Sequence, residues 1–199
     1  MTDLTQEQFL PVGGTGTVST AWWGMVCLIA TEAILFVYLI FSYIYLGSQQ
    51  SGPWPPNGPP SLRLVVPNTV ILLASSVVVA WGQRQFRRTG NTPLLALALA
   101  GTIVLGATFI AMQVVEWSGK GIALSTNSYS SAFFLLTGVH MAHVAVGVLI
   151  LAMLLIWTIM GRFRGVHHEH IALGALYWHF VDAVWLVVFI TAYLVPQFS

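Results

Sequence analysis

Five long apolar runs, at about residues 21–46, 65–82, 93–117, 131–160 and 171–195, leave this chain little freedom in what it can fold into. A helix needs about 20 predominantly apolar residues to cross a bilayer, and each run is near that length or longer. Inside hydrocarbon every backbone amide must be bonded by the protein itself, so only helices and closed barrels span. Barrel strands alternate over about ten residues, whereas these runs are continuous. The reading is therefore an all-α integral membrane bundle of five transmembrane helices. Composition agrees: 7% of the residues are charged and 57% hydrophobic, against about a quarter charged in soluble domains. Residues 1–20 read as a polar N-terminal arm and 21–199 as the transmembrane domain, with no room for a separate soluble unit. A net charge of +1 argues against a nucleic-acid partner, and the single Cys27 allows neither an intrachain disulfide nor a cysteine metal cluster. The opening "MTDLTQEQFLPVGGTGT" lacks the basic and apolar regions of a signal peptide, so the first run reads as a retained anchor.

The connections set the orientation. "GSQQSGPWPPNGPPS" is too rich in Pro and Gly to be helical and must lie outside the hydrocarbon. "GQRQFRRTGNT" and "GRFRGVHHEH" carry Arg84, Arg87, Arg88, Arg162 and Arg164, while the first and third connections carry only Arg63 and Lys120. Basic loops stay in the cytoplasm, which places the N-terminus inside and, for an odd helix count, the C-terminus outside. Gly and Ala recur in "GVHMAHVAVG" (138–147) and "ALAGTIVLGA" (98–107), as close helix packing requires. Trp54, Trp81 and Trp117 fall near the predicted boundaries and read as interfacial anchors.

Ionisable groups at membrane depth are costly and therefore informative. Glu32 and Asp182 each lie about eleven residues from the inner face, roughly 16 Å deep at 1.5 Å per residue. His143 falls near the middle of the fourth run, with His140 one turn away, and His179 precedes Asp182 at i and i+3, where an imidazole donor can serve a carboxylate. His140, His143, His179 and Asp182 read as one buried polar cluster, with Glu32 at the same level. Three readings fit it: a heme or metal site built on "HMAH", a proton or ion relay, and an internally satisfied cluster that fixes helix register. "HHEH" at 167–170 looks like a metal tract but falls at the membrane boundary, where a solvated loop is the commoner outcome.

The stretches "YWHFVDAVW" (177–185), "TGVHMAHVAVG" (137–147), "IATEAILFVYLIFSYIY" (29–45) and "WPPNGPPSLRLVVPNTVILLASS" (54–76) together resemble subunit III of the heme-copper terminal oxidases. The resemblance runs from about residue 20 to the C-terminus and is to the short five-helix form, which lacks the first two helices of the seven-helix members. It implies a noncatalytic subunit in the proton-pumping complex of aerobic electron transport, in a prokaryotic plasma or inner membrane. Heme and copper would be carried by subunits I and II, and none by this chain. The implied role is to bind subunit I, stabilise it during turnover, hold structural phospholipids and support proton uptake. Glu32 matches the family's carbodiimide-reactive glutamate, which implies a protonated carboxyl in an apolar setting. His179 and Asp182 match positions in a noncatalytic helix. The motifs lean toward cytochrome c oxidase; a quinol oxidase subunit III and a nitric oxide reductase accessory protein are the alternatives within the resemblance. A small ion or proton transporter is the alternative of another class. The helix cores, read as free of Pro, and the lack of a repeat argue against it.

Overall fold

The computed structural model describes residues 19–56, 58–121, 123–162 and 168–198. Most of the polar arm, Arg164 and His167 lie outside the described residues. The helices are α1 (Thr20–Ser48), α2 (Leu62–Thr89), α3 (Thr92–Ser118), α4 (Ser128–Ile159) and α5 (His168–Phe189), the last continuing through a π turn (Ile190–Leu194) and a 3₁₀ turn (Val195–Gln197). These are five helices long and apolar enough to cross a membrane. Their starts follow local chemistry: the side chains of Ser19, Ser61, Asn91 and Asn127 accept from the amides of Trp22, Arg63, Leu94 and Ser130. Each cap satisfies a donor that a helix start leaves unpaired.

Two sequence expectations need correction. The second helix runs to Thr89, seven residues past the expected boundary, so Arg84, Arg87 and Arg88 are helical and not part of a loop. Gln and Arg are good helix formers, cations suit a helix C-terminus, and the stop comes only at Gly90, with a φ of 67°. Pro67 also lies inside α2, near its start, so that helix core is not free of Pro. At the far end of α5, Pro196 has no amide proton to donate. The turn before it widens, and Val195 N bonds to Ile190 O.

Helices α2, α3, α4 and α5 form a closed ring of neighbours, and α1 packs outside it against α4 and α5. One end gathers Arg84, Arg87 and Arg88 of α2. At the other, Gln197 donates to Pro60 O, and Trp54 sits edge-on to Tyr43 and Tyr129. Trp178 and Trp185 of α5 are fully buried in the middle of the ring. Room for Trp178 comes from two glycines: a Cβ on Gly106 of α3 would lie 2.7 Å from its Cη2, and one on Gly147 of α4 would lie 2.8 Å from its Cε3. Only a stripe of α1, Phe36, Leu39 and Tyr43, is buried, while Ile34, Val37, Tyr38 and Phe41 face outward.

Gly147→Val should therefore destabilise the bundle by about 1–3 kcal/mol through overpacking. Gly24→Ala, where a Cβ meets nothing within 4 Å, should be neutral or slightly stabilising. Loss of helical circular dichroism during denaturant titration in detergent measures both.

Candidate functional site: polar side chains at membrane depth

Glu32 on α1 and His143 on α4 meet, with Oε2 2.9 Å from Nε2. His143 Nδ1 lies 2.7 Å from Val139 O. A carbonyl only accepts, so Nδ1 carries a proton. An unprotonated Nε2 facing a carboxylate would set two acceptors against each other, so one further proton must lie between them. Whether it sits on the carboxyl or the ring, the pair is neutral overall, as its depth favours. Phe36 covers the imidazole, ring centroids 4.9 Å apart. Beside the pair lies a cavity of about 250 Å³ lined by Leu28, Val146, Ile150 and Tyr177.

The second constellation joins α2 to α5. Ser76 Oγ donates to Asp182 Oδ2 and lies 2.9 Å from His179 Nδ1. The expected direct bond from imidazole to carboxylate is thus replaced by a serine between them. On the same face, Trp178 Nε1 donates to Ser75 Oγ at 2.9 Å and Trp185 Nε1 to Thr69 Oγ1 at 2.9 Å. Both hydroxyls spend their own proton within α2, Ser75 on Leu72 O and Thr69 on Val65 O. Their lone pairs are left for the indoles.

His140 joins neither group. It is fully buried, its ring 4.9 Å from that of Trp185 and 6.0 Å from that of Phe109, and neither nitrogen has a partner among the described residues. The single cluster expected from the sequence is thus divided: His143 belongs with Glu32, His179 and Asp182 belong with Ser76, and His140 stands among aromatic rings. Of the boundary tract, His170 lies edge-on to Trp157. Among the described residues no group of three or more His, Cys, Asp or Glu side chains is placed to hold a metal ion.

A third network escaped the sequence reading. Lys120 Nζ lies 2.8 Å from Glu116 Oε1, both side chains largely buried. Glu116 Oε2 accepts from Gln113 Nε2 at 3.2 Å and from Tyr193 OH at 3.4 Å. Asn68 Nδ2 donates to Phe109 O at 3.2 Å and reaches Gln113 Oε1 at 3.5 Å. Lys120 also lies 4.6 Å from the centroid of the Phe133 ring. The available signal was the i, i+4 spacing of Glu116 and Lys120 with Gln113 one turn earlier.

Residues 2–196 match the family model of cytochrome c oxidase subunit III. Cytochrome c oxidase subunit 3 of Synechocystis sp. (strain ATCC 27184 / PCC 6803 / Kazusa) is 35% identical over 186 residues, covering 92% of this chain and 78% of that protein. The subunit 3 of Myxine glutinosa is 34% identical over 200 residues, covering 96% and 76%. That of Gallus gallus is 35% identical over 199 residues, with the same coverage of 96% and 76%.

Two outcomes follow from the pairings. Lys120→Met leaves Glu116 a buried unpaired charge and should cost about 3–5 kcal/mol, most of it recovered when Glu116→Gln is added. A double-mutant cycle of Glu32→Ala and His143→Ala should give a coupling of about 0.5–1.5 kcal/mol, the range of interhelical bonds in membranes. Reversible unfolding in mixed micelles provides both values.

Proposed function

Because the chain belongs to the cytochrome c oxidase subunit III family, and so to a multi-subunit oxidoreductase complex, we propose that it is the noncatalytic subunit that sustains this complex. In this reading it packs on the flank of the heme-bearing subunit I, near subunit II, and protects subunit I from inactivation during turnover. It also holds structural phospholipids and supports proton uptake from the cytoplasmic side. Heme and copper belong to the partner subunits. The family match along nearly the whole chain is the observation that carries the reading.

The geometry supports its parts. Glu32, His143, Asp182, Glu116 and Lys120 are each bonded to another side chain of this protein, the arrangement of a scaffold. The largely apolar cavity beside Glu32 suits an acyl chain. The outward face of α1, with Ile34, Val37, Tyr38 and Phe41, offers apolar area to lipid or to a neighbouring subunit; α1 and α2 are the helices assigned most of the contact with subunit I. The end of α2 with Arg84, Arg87 and Arg88 is assigned to the cytoplasm, in a prokaryotic plasma or inner membrane.

Deleting or stripping the chain tests the reading. Hemes should remain in the rest of the complex and the first turnovers should proceed, while oxygen consumption decays several-fold faster over prolonged turnover. Immediate loss of the heme signal, or undiminished activity through long turnover, would contradict it.

A further inference from the structure

Resting on the reading that this chain sits in an oxidase complex, we propose that the seam between α2 and α5 around His179 is the seat of a partner subunit's transmembrane helix. That helix presents a hydrogen-bond donor to His179 Nε2.

Ser76, through which His179 is held, stands near the midpoint of α2, which runs from Leu62 to Thr89. The seam is therefore deep in the hydrocarbon. His179 is half-buried, its Nδ1 faces Ser76, and its Nε2 has no partner among the described residues. Around it the outward residues Leu73, Val77, Ala183 and Leu186 are apolar and exposed. No water is available at that depth to satisfy a ring nitrogen. His140 also has unpartnered nitrogens, but it is enclosed on every side; His179 reaches the surface. Two turns toward the arginine end lie Gln83, half-buried, and Arg84, exposed, and neither is hydrogen-bonded to the ring. Ala183, one turn from His179, leaves space for a backbone to come close.

Proton bookkeeping fixes what the partner brings. The one hydroxyl proton of Ser76 goes to Asp182 Oδ2. Ser76 Oγ can then only accept from His179, so Nδ1 carries the ring proton. The neutral imidazole turns a lone pair outward at Nε2. Its complement is a hydroxyl, an amide NH₂ or an indole N–H on the facing helix. Lipid headgroups stay at the interface and do not reach this level.

The test uses the complex purified through a tag on this chain. Photoactivatable residues are placed at the exposed positions Val77 and Leu186, with Leu149 on α4 as the reference site. The expected result is an adduct with a larger protein subunit from both seam positions, at least fivefold above the reference. In parallel, Ala183→Trp should lower the heme recovered per tagged chain about tenfold with helicity unchanged, whereas Leu149→Trp should not. Adducts only with lipid or with a second copy of this chain, or full heme recovery with Ala183→Trp, would overturn the proposal. Failure of the wild-type chain to recover any heme-bearing subunit would instead defeat the oxidase reading on which the proposal rests.

Discussion

Inside hydrocarbon a polar side chain has no water to return to, and this constraint decides how the five helices sit together. Between apolar helices in lipid the hydrophobic effect chooses no particular face, since lipid tails are as apolar as leucine. A few polar atoms choose instead. Thr69, Ser75 and Ser76 on one face of α2 hold Trp185, Trp178, His179 and Asp182 of α5. Rotating or sliding either helix would leave indole and carboxylate groups unsatisfied. The glycines of α3 and α4 then close on the large ring of Trp178 that these bonds have positioned.

Helix α1 is held differently. It lies outside the ring, fastened by the buried stripe of Phe36, Leu39 and Tyr43 and by the bond from Glu32 to His143. Much of the rest of its surface is apolar and outward-facing. Because the pair needs a shared proton to be a bond at all, the attachment of α1 is linked to a proton held at membrane depth. That link makes one fastening of the scaffold depend on a proton shared between α1 and α4.

Sequence reasoning reached the helices because long apolar runs have few structural outcomes, and it reached Glu32 and Asp182 because a charge within such a run stands out. It failed where the answer lies in another part of the chain. Nothing near Ser76 announces that it will bridge His179 and Asp182, since hydroxyls are common in membrane helices and most bond their own backbone. His140 and His143 look equivalent in "HMAH", and both approach Phe36 of α1, yet His140 is enclosed by Trp185 and Phe109 while His143 reaches Glu32. Glu116 and Lys120 straddle a predicted boundary, where charges are ordinary, and nothing local signals that they pair in the interior. The arginines of α2 read as a loop because their charge ends the apolar run, whereas helix propensity carries the helix on to the stop at Gly90.

The central proposal is that Glu32, His143, His179 and Asp182 fasten helices and that the redox centres belong to the partner subunits. It is tested most directly by separating the chain from its complex in mild detergent and measuring heme and copper per polypeptide alongside its circular dichroism. The account predicts a helical chain with no stoichiometric heme or copper, all of which stays with the other subunits. Heme absorbance or copper near one equivalent on the isolated chain, lost on replacing His143 or His179, would contradict it.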